Sequence, residues 1–338
     1  MRTYYLDGLG SFEGIVARDA PEPTPGPTGI VVRVRAVALN RRDVAIVNGT
    51  YPLPSVPGVI PVSDGAGEVV AVGPEVTRFR VGDRVVGSYF AKWLDGRLNI
   101  GLIDQLGCTL DGMLTEYALL DQDWAALVPD HLTWAEAASL PCSGTTAWNS
   151  LTGGEPLLPG QTVLTLGTGA VSLAAVQFAK LMGATVISTT SSDAKGDRLR
   201  ALGADHVVNY ATTPDWGRAV RELTGGAGVD LVVETNGPKT IEQSMRAAGL
   251  YGQVVLLITG SASRPGIEIS NAAYASSMAT IRRVFVGSRA HLETMLAAVA
   301  AHGLRPVVDR EFDYDDVHEA YRYFDKASGF GKVVVRVG

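Results

Sequence analysis

The middle of the chain alternates between short β-branched runs and stretches whose apolar residues recur at helical spacing. Thr162-Val163-Leu164-Thr165-Leu166 is one such run, and it leads into Gly167-Thr168-Gly169-Ala170-Val171-Ser172. Beyond it, Val171, Ala174, Ala175, Phe178, Leu181 and Met182 repeat with the period of an amphipathic helix. The alternation continues, with strands predicted at 163–166, 186–189, 207–209, 231–234, 254–258 and 283–286. Helices are predicted at 194–202, 215–224 and 240–248, while 261–279 is less regular. Strand and helix in turn predict a parallel, doubly wound sheet that binds its ligand at the carboxyl ends of the strands.

Before residue 142 the texture is different. Residues 30–36 alternate, with Arg33 and Arg35 at the polar positions, and 65–72, 84–88 and 115–120 read as further strands. Proline and glycine mark loops at 21–27 and 52–61. After 286, Leu292, Met295, Leu296 and Val299 form an amphipathic helix, and 332–337 reads as a last strand. The expected fold class is therefore α/β. A β-rich domain would be built from 1–142 and 288–338, with a Rossmann-type domain inserted at 143–287.

Composition narrows the function classes. The chain has 338 residues, 46% of them hydrophobic and 19% charged, with mean hydropathy +0.15, which is ample for buried cores. A net charge of −6 argues against nucleic-acid partners, which need a basic face. No apolar run approaches a membrane span and the N-terminus lacks a signal-peptide pattern. Two cysteines, Cys108 and Cys142, suit reduced thiols in the cytoplasm.

The glycine turn is the first piece of candidate chemistry. A strand, a glycine turn and a helix inside a βαβ unit form the dinucleotide-binding fingerprint. Gly167 permits the tight turn, Gly169 lets backbone approach a pyrophosphate, and the helix start at Ala170 and Val171, with Thr168, offers N–H groups to the anion. Ser172 stands where the third glycine is usual. The second strand ends in Ser188-Thr189-Thr190-Ser191-Ser192, with no acid before Asp193. NAD-binding sites place a carboxylate there for the ribose 2′-hydroxyl. Ser191, Ser192 and Lys195 instead suit the 2′-phosphate of NADP(H), against which Asp193 counts.

Several motifs together resemble the medium-chain dehydrogenase/reductase superfamily, which includes alcohol dehydrogenases, quinone oxidoreductases and enoyl reductases. They are Gly65-Ala66-Gly67-Glu68-Val69-Val70, Val81-Gly82-Asp83-Arg84-Val85, Leu140 to Trp148, the Gly167 turn, Ala201-Leu202-Gly203-Ala204-Asp205 and Gly331-Lys332-Val333-Val334. Val62 to Gly67 and Trp93-Leu94-Asp95-Gly96 are most similar to an alcohol dehydrogenase-like branch that lacks zinc. The resemblance implies a GroES-like catalytic domain beside the Rossmann domain, and a homodimer joined through 280–286. It implies coenzyme contacts from Thr145, Thr146, Tyr210, Ile258, Thr259, Val286, Ser288 and Lys332.

The same resemblance bears on metal. Family positions for the first zinc cysteine, the histidine and its following glutamate fall on Asn40, Ser63 and Asp64, and only Cys142 is retained. Residues 88–112 offer one cysteine where a structural zinc needs four. No zinc is expected. Asp43 and Asp64 are expected to pair with Arg41 or Arg42, and Cys142 to be a buried apolar residue.

Hydride delivery without a metal leaves charge on oxygen that hydrogen-bond donors or substrate delocalisation must absorb. An α,β-unsaturated carbonyl or a quinone fits. Tyr51 stands at an active-site tyrosine position of related reductases, and Asn40 is expected to face the nicotinamide. Tyr89, Phe90 and Trp93 are expected to line the substrate entrance, and Arg41 and Arg42 to sit in a solvated loop. Two alternatives stay open: a metal-free NAD(P)-dependent alcohol or aldehyde dehydrogenase, and a catalytically silent NADPH-binding sensor or scaffold.

Overall fold

Long aliphatic runs with few breakers become the central strands, and glycines set how closely those strands approach. The computed structural model describes residues 1–257, 266–326 and 329–338. The chain begins with β1 (Arg2–Leu6), β2 (Ile15–Asp19), β3 (Gly29–Ala38), α1 (Arg41–Val47), β4 (Asp64–Val72), β5 (Arg84–Gly87), β6 (Tyr117–Asp121) and β7 (Ala125–Leu127). Then come α2 (Trp134–Ala138), α3 (Ser143–Thr152), β8 (Thr162–Leu166), α4 (Ala170–Leu181), β9 (Thr185–Thr190), α5 (Asp193–Leu202), β10 (His206–Asn209) and α6 (Trp216–Leu223). They are followed by β11 (Val229–Glu234), α7 (Ile241–Ala247), β12 (Ala248–Leu256), α8 (Asn271–Ser277) and β13 (Thr280–Arg283). The C-terminal part adds α9 (Arg289–His302), β14 (Val308–Phe312), α10 (Val317–Asp325) and β15 (Lys332–Arg336). The chain forms two compact units, Met1–Thr145 with Val286–Gly338, and Thr146–Phe285.

The first unit is built on a sheet with strand order β14-β15-β3-β4-β5-β7, and β6 also pairs with β3. Its core holds Val32, Val34, Val69, Val85, Leu106, Leu120 and Val335. Register explains the position of the polar cluster described below. Antiparallel pairing sets Ala38 opposite Asp64 on β4 and opposite Val334 on β15. Leu39 N–H then donates to Val333 O at 2.9 Å, so Asn40, Asp64 and Lys332 converge just past the end of β3.

The second unit holds a wholly parallel sheet, β10-β9-β8-β11-β12-β13, covering a core that includes Leu164, Ile187, Val220, Val232, Met245 and Val254. The order reverses between β8 and β11, and the glycine turn follows β8 at that switch point, where doubly wound folds bind ligands. The fold is thus mixed α/β, a β-rich GroES-like unit with a Rossmann-type unit. Among the described residues, no helix is long and apolar enough to cross a membrane.

The predicted strand at 283–286 sits three residues late, since β13 covers Thr280–Arg283. Val286 takes φ +53°, a left-handed conformation that ends any strand, and the arginines at 282 and 283 disguised the true one. Arg282 has an end-capping role: its Nη2 donates to Asn149 O and Ser150 O at 3.0 and 2.9 Å, two of the carbonyls in the last turn of α3. The pair β1–β2, strand β14 and helices α1, α2 and α10 were not anticipated, although α10 buries Val317, Ala320 and Tyr321 at helical spacing.

Gly67 tests the close approach of β3 and β4. A Cβ there would lie 2.2 Å from Arg33 O, inside the ladder itself. Gly67→Ala should destabilise the protein by about 1–3 kcal/mol, the usual cost of overpacking. An unchanged denaturation midpoint in urea would contradict this packing.

Candidate active site

The glycine turn presents an open face. Gly167 has φ +73°, and its N–H donates to Thr189 O at 2.9 Å. A Cβ added at Gly167 or Gly169 would meet nothing within 4 Å, so space lies in front of the turn where an anion would approach. Thr168, Ala170 and Val171 are half-buried around it. Ser172 is buried and donates through Oγ to Leu166 O at 2.6 Å. That bond ties the helix to the strand end and accounts for a serine where glycine is usual.

The end of β9 carries the hydroxyl cluster. Ser191 is exposed, and Ser192 is the N-cap of α5 without using its own side chain as a cap. Tyr210 N–H donates to Thr190 O at 2.9 Å, which fixes Tyr210, itself 43% exposed, beside this strand end. Asn209 Nδ2 donates to Asp193 Oδ1 at 2.8 Å and so engages the one carboxylate that counted against a phosphate. Lys195 lies on α5, half-buried. Thr146 is buried on α3. In the other unit, the buried Thr145 Oγ1 has no hydrogen-bond partner among the described residues, an orphan that a ligand would satisfy. Val286 holds its left-handed backbone next to Gly287, and Ser288 caps α9 and shares a 2.8 Å hydrogen bond with His291 Nδ1. Ile258 and Thr259 lie outside the described residues. Within the second unit, the open glycine turn fits the phosphates of a dinucleotide.

Within the first unit, Lys332 is almost wholly buried, contrary to the expectation that it meets coenzyme. Its Nζ donates to Asn40 Oδ1 at 2.8 Å, Leu39 O at 3.0 Å and Asp64 Oδ2 at 3.2 Å. Three acceptors satisfy the three protons of an ammonium, which leaves none for a ligand. Asp64, 0% exposed, also accepts from Ser63 Oγ at 2.8 Å and from Cys142 N–H at 3.1 Å. The expectation that Asp64 pairs with an arginine is thereby corrected: Lys332 is nearer in register. Asn40 occupies the N-cap position of α1, and Asp43 Oδ2 takes its N–H at 2.7 Å. Burial pushes the Cys142 thiol up, and the residue is half-buried rather than fully buried as expected.

These residues do not suit zinc. Lys332 Nζ already engages Asn40 Oδ1 and Asp64 Oδ2, and its positive charge would repel a divalent cation brought to the same atoms. Among the described residues, no three His, Cys, Asp or Glu side chains are grouped to hold a metal ion.

A second cluster surrounds Tyr51. Its Oη lies 2.8 Å from Gln105 Oε1 and 2.9 Å from Tyr89 Oη, and Tyr89 Oη lies 3.0 Å from the same amide oxygen. Arg42 Nη2 donates to Gln105 Oε1 at 3.0 Å and Nη1 to Leu106 O at 2.9 Å. Two phenolic hydrogens serve three oxygen–oxygen contacts, and Arg42 already supplies Gln105. The proton of the half-buried Tyr51 can therefore turn toward a substrate without stranding Gln105. Burial pushes both phenols up, against the opposing pull of Arg42, so both stay protonated at neutral pH.

Three expectations give way here. Arg42 is buried on α1 rather than solvated, with its guanidinium 4.7 Å from the Tyr89 ring centre. Phe90 and Tyr89 are buried and Trp93 nearly so, with Nε1 donating to Gly96 O at 2.9 Å; the three rings pack on one another as core rather than lining an entrance. Gln105 was missed altogether, because a lone glutamine after Ile103-Asp104 carries no spacing signal. Lys332 was named for the coenzyme, and its burial against Asn40 and Asp64 follows from strand pairing at the two ends of the chain.

Comparisons with known proteins bear on the fold and the family. Residues 26–130 match the family described as alcohol dehydrogenase GroES-like domain, and 170–301 the family described as zinc-binding dehydrogenase. A zinc-type alcohol dehydrogenase-like protein of Schizosaccharomyces pombe is 36% identical, covering 100% of this chain and 99% of that protein. A quinone oxidoreductase of Pseudomonas aeruginosa is 33% identical over 86% of this chain and 83% of its own. The solved structure of an NAD-dependent alcohol dehydrogenase superposes with TM-score 0.90 at 35% identity, covering 100% of both chains. The chain belongs to the medium-chain dehydrogenase/reductase superfamily, as an oxidoreductase of the alcohol dehydrogenase and quinone oxidoreductase type.

The carboxyl that fixes Asn40 N–H should titrate visibly. Burial pushes Asp43 up to about 6 from an ordinary 3.8, although Arg42 pulls down, Asp64 pushes up and Lys332 pulls down. A raised carboxyl favours the protonated fold: its contribution is full below about pH 4 and is lost as pH rises through about 6. Asp43→Asn cannot titrate. Its stability relative to the parent should rise by on the order of 2 kcal/mol between those values, at about 1.4 kcal/mol per unit. A pH-independent difference in urea denaturation would contradict the shift.

Proposed function

We propose a zinc-independent, NADPH-dependent oxidoreductase that delivers hydride to an α,β-unsaturated carbonyl or a quinone. The observation that carries this reading is the buried Lys332 ammonium held by Leu39 O, Asn40 Oδ1 and Asp64 Oδ2, with Asn40 at a position that the family resemblance assigns to a zinc cysteine. When bound, the nicotinamide coenzyme supplies hydride. The residues of this chain do the rest. Gly167, Thr168, Gly169, Ala170 and Val171 would hold the pyrophosphate, and Ser191, Ser192, Lys195 and Tyr210 the 2′-phosphate. Thr145, Thr146, Val286 and Ser288 would hold the nicotinamide end. Tyr51 keeps a proton for the oxygen that gains charge, and Asn40 offers amide hydrogens to the same oxygen.

Delocalised acceptors suit such donors, because their charge arrives already spread. The metal-free alcohol or aldehyde dehydrogenase is a second reading, favoured by the NAD-dependent alcohol dehydrogenase that shares the fold over its full length. β13 ends the strand order of its sheet with Ile281 39% exposed, an edge that supports the expected homodimer.

The coenzyme claim is tested by fluorescence titration. NADPH should bind tighter than NADH, and Lys195→Ala should weaken NADPH about tenfold, the scale of one charge-assisted contact, while leaving NADH unchanged. Tighter binding of NADH would reject the 2′-phosphate assignment.

Turnover is tested with protein of measured metal content against enones, quinones and aldehydes, following NADPH oxidation and identifying products. Reduction at C=C or of the quinone is expected without zinc; reduction only at C=O favours the second reading, and zinc-dependent turnover rejects both. Tyr51→Phe should lower kcat about 100-fold, the lower range for general acids, at unchanged coenzyme affinity.

A further inference from the structure

Asn40 is a weak replacement for a metal ligand unless its amide points the right way. An amide presents either an oxygen or an NH2, and only the NH2 stabilises developing negative charge. Lys332 decides between them. An ammonium has no acceptor, so the atom 2.8 Å from its Nζ is held as Oδ1. The amide nitrogen then points the other way, where Nδ2 reaches Ala38 O only at 3.5 Å. Of its two hydrogens at least one is without a partner among the described residues, and Asn40 is 8% exposed, buried yet not sealed off.

The ammonium is itself over-determined. Leu39 O and Asp64 Oδ2 hold its other protons, and Asp64 is held in turn by Ser63 Oγ and Cys142 N–H. Pairing of β15 with β3 sets the root of Lys332 beside Leu39. Lysine, aspartate and amide thus form one chain of fixed direction ending in a hydrogen-bond donor.

The geometry points to Lys332 as the positioning residue that fixes the Asn40 amide with its NH2 toward the substrate oxygen, the aspartate Asp64 anchoring it. This inference rests on the metal-free reading above, and deepens it: the lysine does not touch coenzyme or substrate but acts through Asn40. It predicts a chain of dependence that a packing role would not produce.

The test is a double-mutant cycle on the full-length protein with NADPH and the best acceptor found. Lys332→Met with Asp64→Asn removes the ammonium and its counter-charge together, so no buried charge is stranded. This pair should lower kcat about 100-fold, the effect of losing one oxyanion donor, with coenzyme Kd within about twofold. Asn40→Ala should cost about as much alone and less than about threefold more when added to the pair. Full multiplication of the two costs, or a pair variant with parental kcat, overturns the proposal. So does a tenfold rise in coenzyme Kd at unchanged kcat, which would make Lys332 a coenzyme contact. Should the pair variant fail to fold by circular dichroism, Asn40→Asp carries the test. It keeps an oxygen for Lys332 but lacks the amide hydrogens, and parental kcat in it overturns the proposal. A parent protein that oxidises neither NADPH nor NADH with any acceptor overturns the underlying reading and this inference with it; turnover with multiplicative costs overturns the inference alone.

Discussion

A single buried ammonium organises the first unit's chemistry. Lys332 has almost no water to solvate it, so every proton needs a protein acceptor, and Asp64 at 3.2 Å supplies the opposing charge. Removing one partner of such a pair costs about 3–5 kcal/mol, because the other charge is left buried and unmatched. The constraint therefore fixes more than local packing. It ties the C-terminal strand to β3 and β4, and holds the backbone at Leu39 and the side chain of Asn40 in one arrangement.

The second unit rests on a different constraint, the reversal of strand order beside the glycine turn. Parallel strands need helical crossovers, and helices leaving a central strand on opposite faces open a crevice at its carboxyl end. That logic was fully legible in the chain. A β-branched run followed by a glycine turn marks a strand and a helix start, and six strands alternating with helices set the sheet, the last of them read three residues late. Even the departure at Ser172 was tolerable on paper, and its bond to Leu166 O gives the reason.

The first unit was less legible. Its strands were found wherever aliphatic alternation was long, as in 30–36 and 65–72, and missed in β1, β2 and β14, where polar residues interrupt. The site suffered for the same reason. Tyr51 and Asn40 stood out by resemblance, whereas the contacts of Gln105 and the burial of Lys332 depend on strand register, a property that one strand's sequence does not contain. Arg42 misled because an arginine next to a turn looks solvated. Its burial between two phenols and an amide is a tertiary fact.

Charge balance in this unit bears on which substrates the proposed reading favours. Two buried cations, Arg42 and Lys332, face two buried carboxyls, Asp43 and Asp64, with Arg42 and Asp43 3.6 Å apart. Once Asp43 is ionised the four nearly cancel, and the cluster exerts little net field. A metal ion stabilises an alkoxide mainly by its uncancelled charge, while a neutral cluster stabilises only through dipoles aimed at the right atom. Dipoles from one amide and one phenol suffice where the incoming charge is shared across a conjugated system, and fall short where it is concentrated on one alkoxide oxygen. Under the proposed metal-free reading, the same cancellation that lets four ionisable groups be buried together favours enones and quinones over simple alcohols.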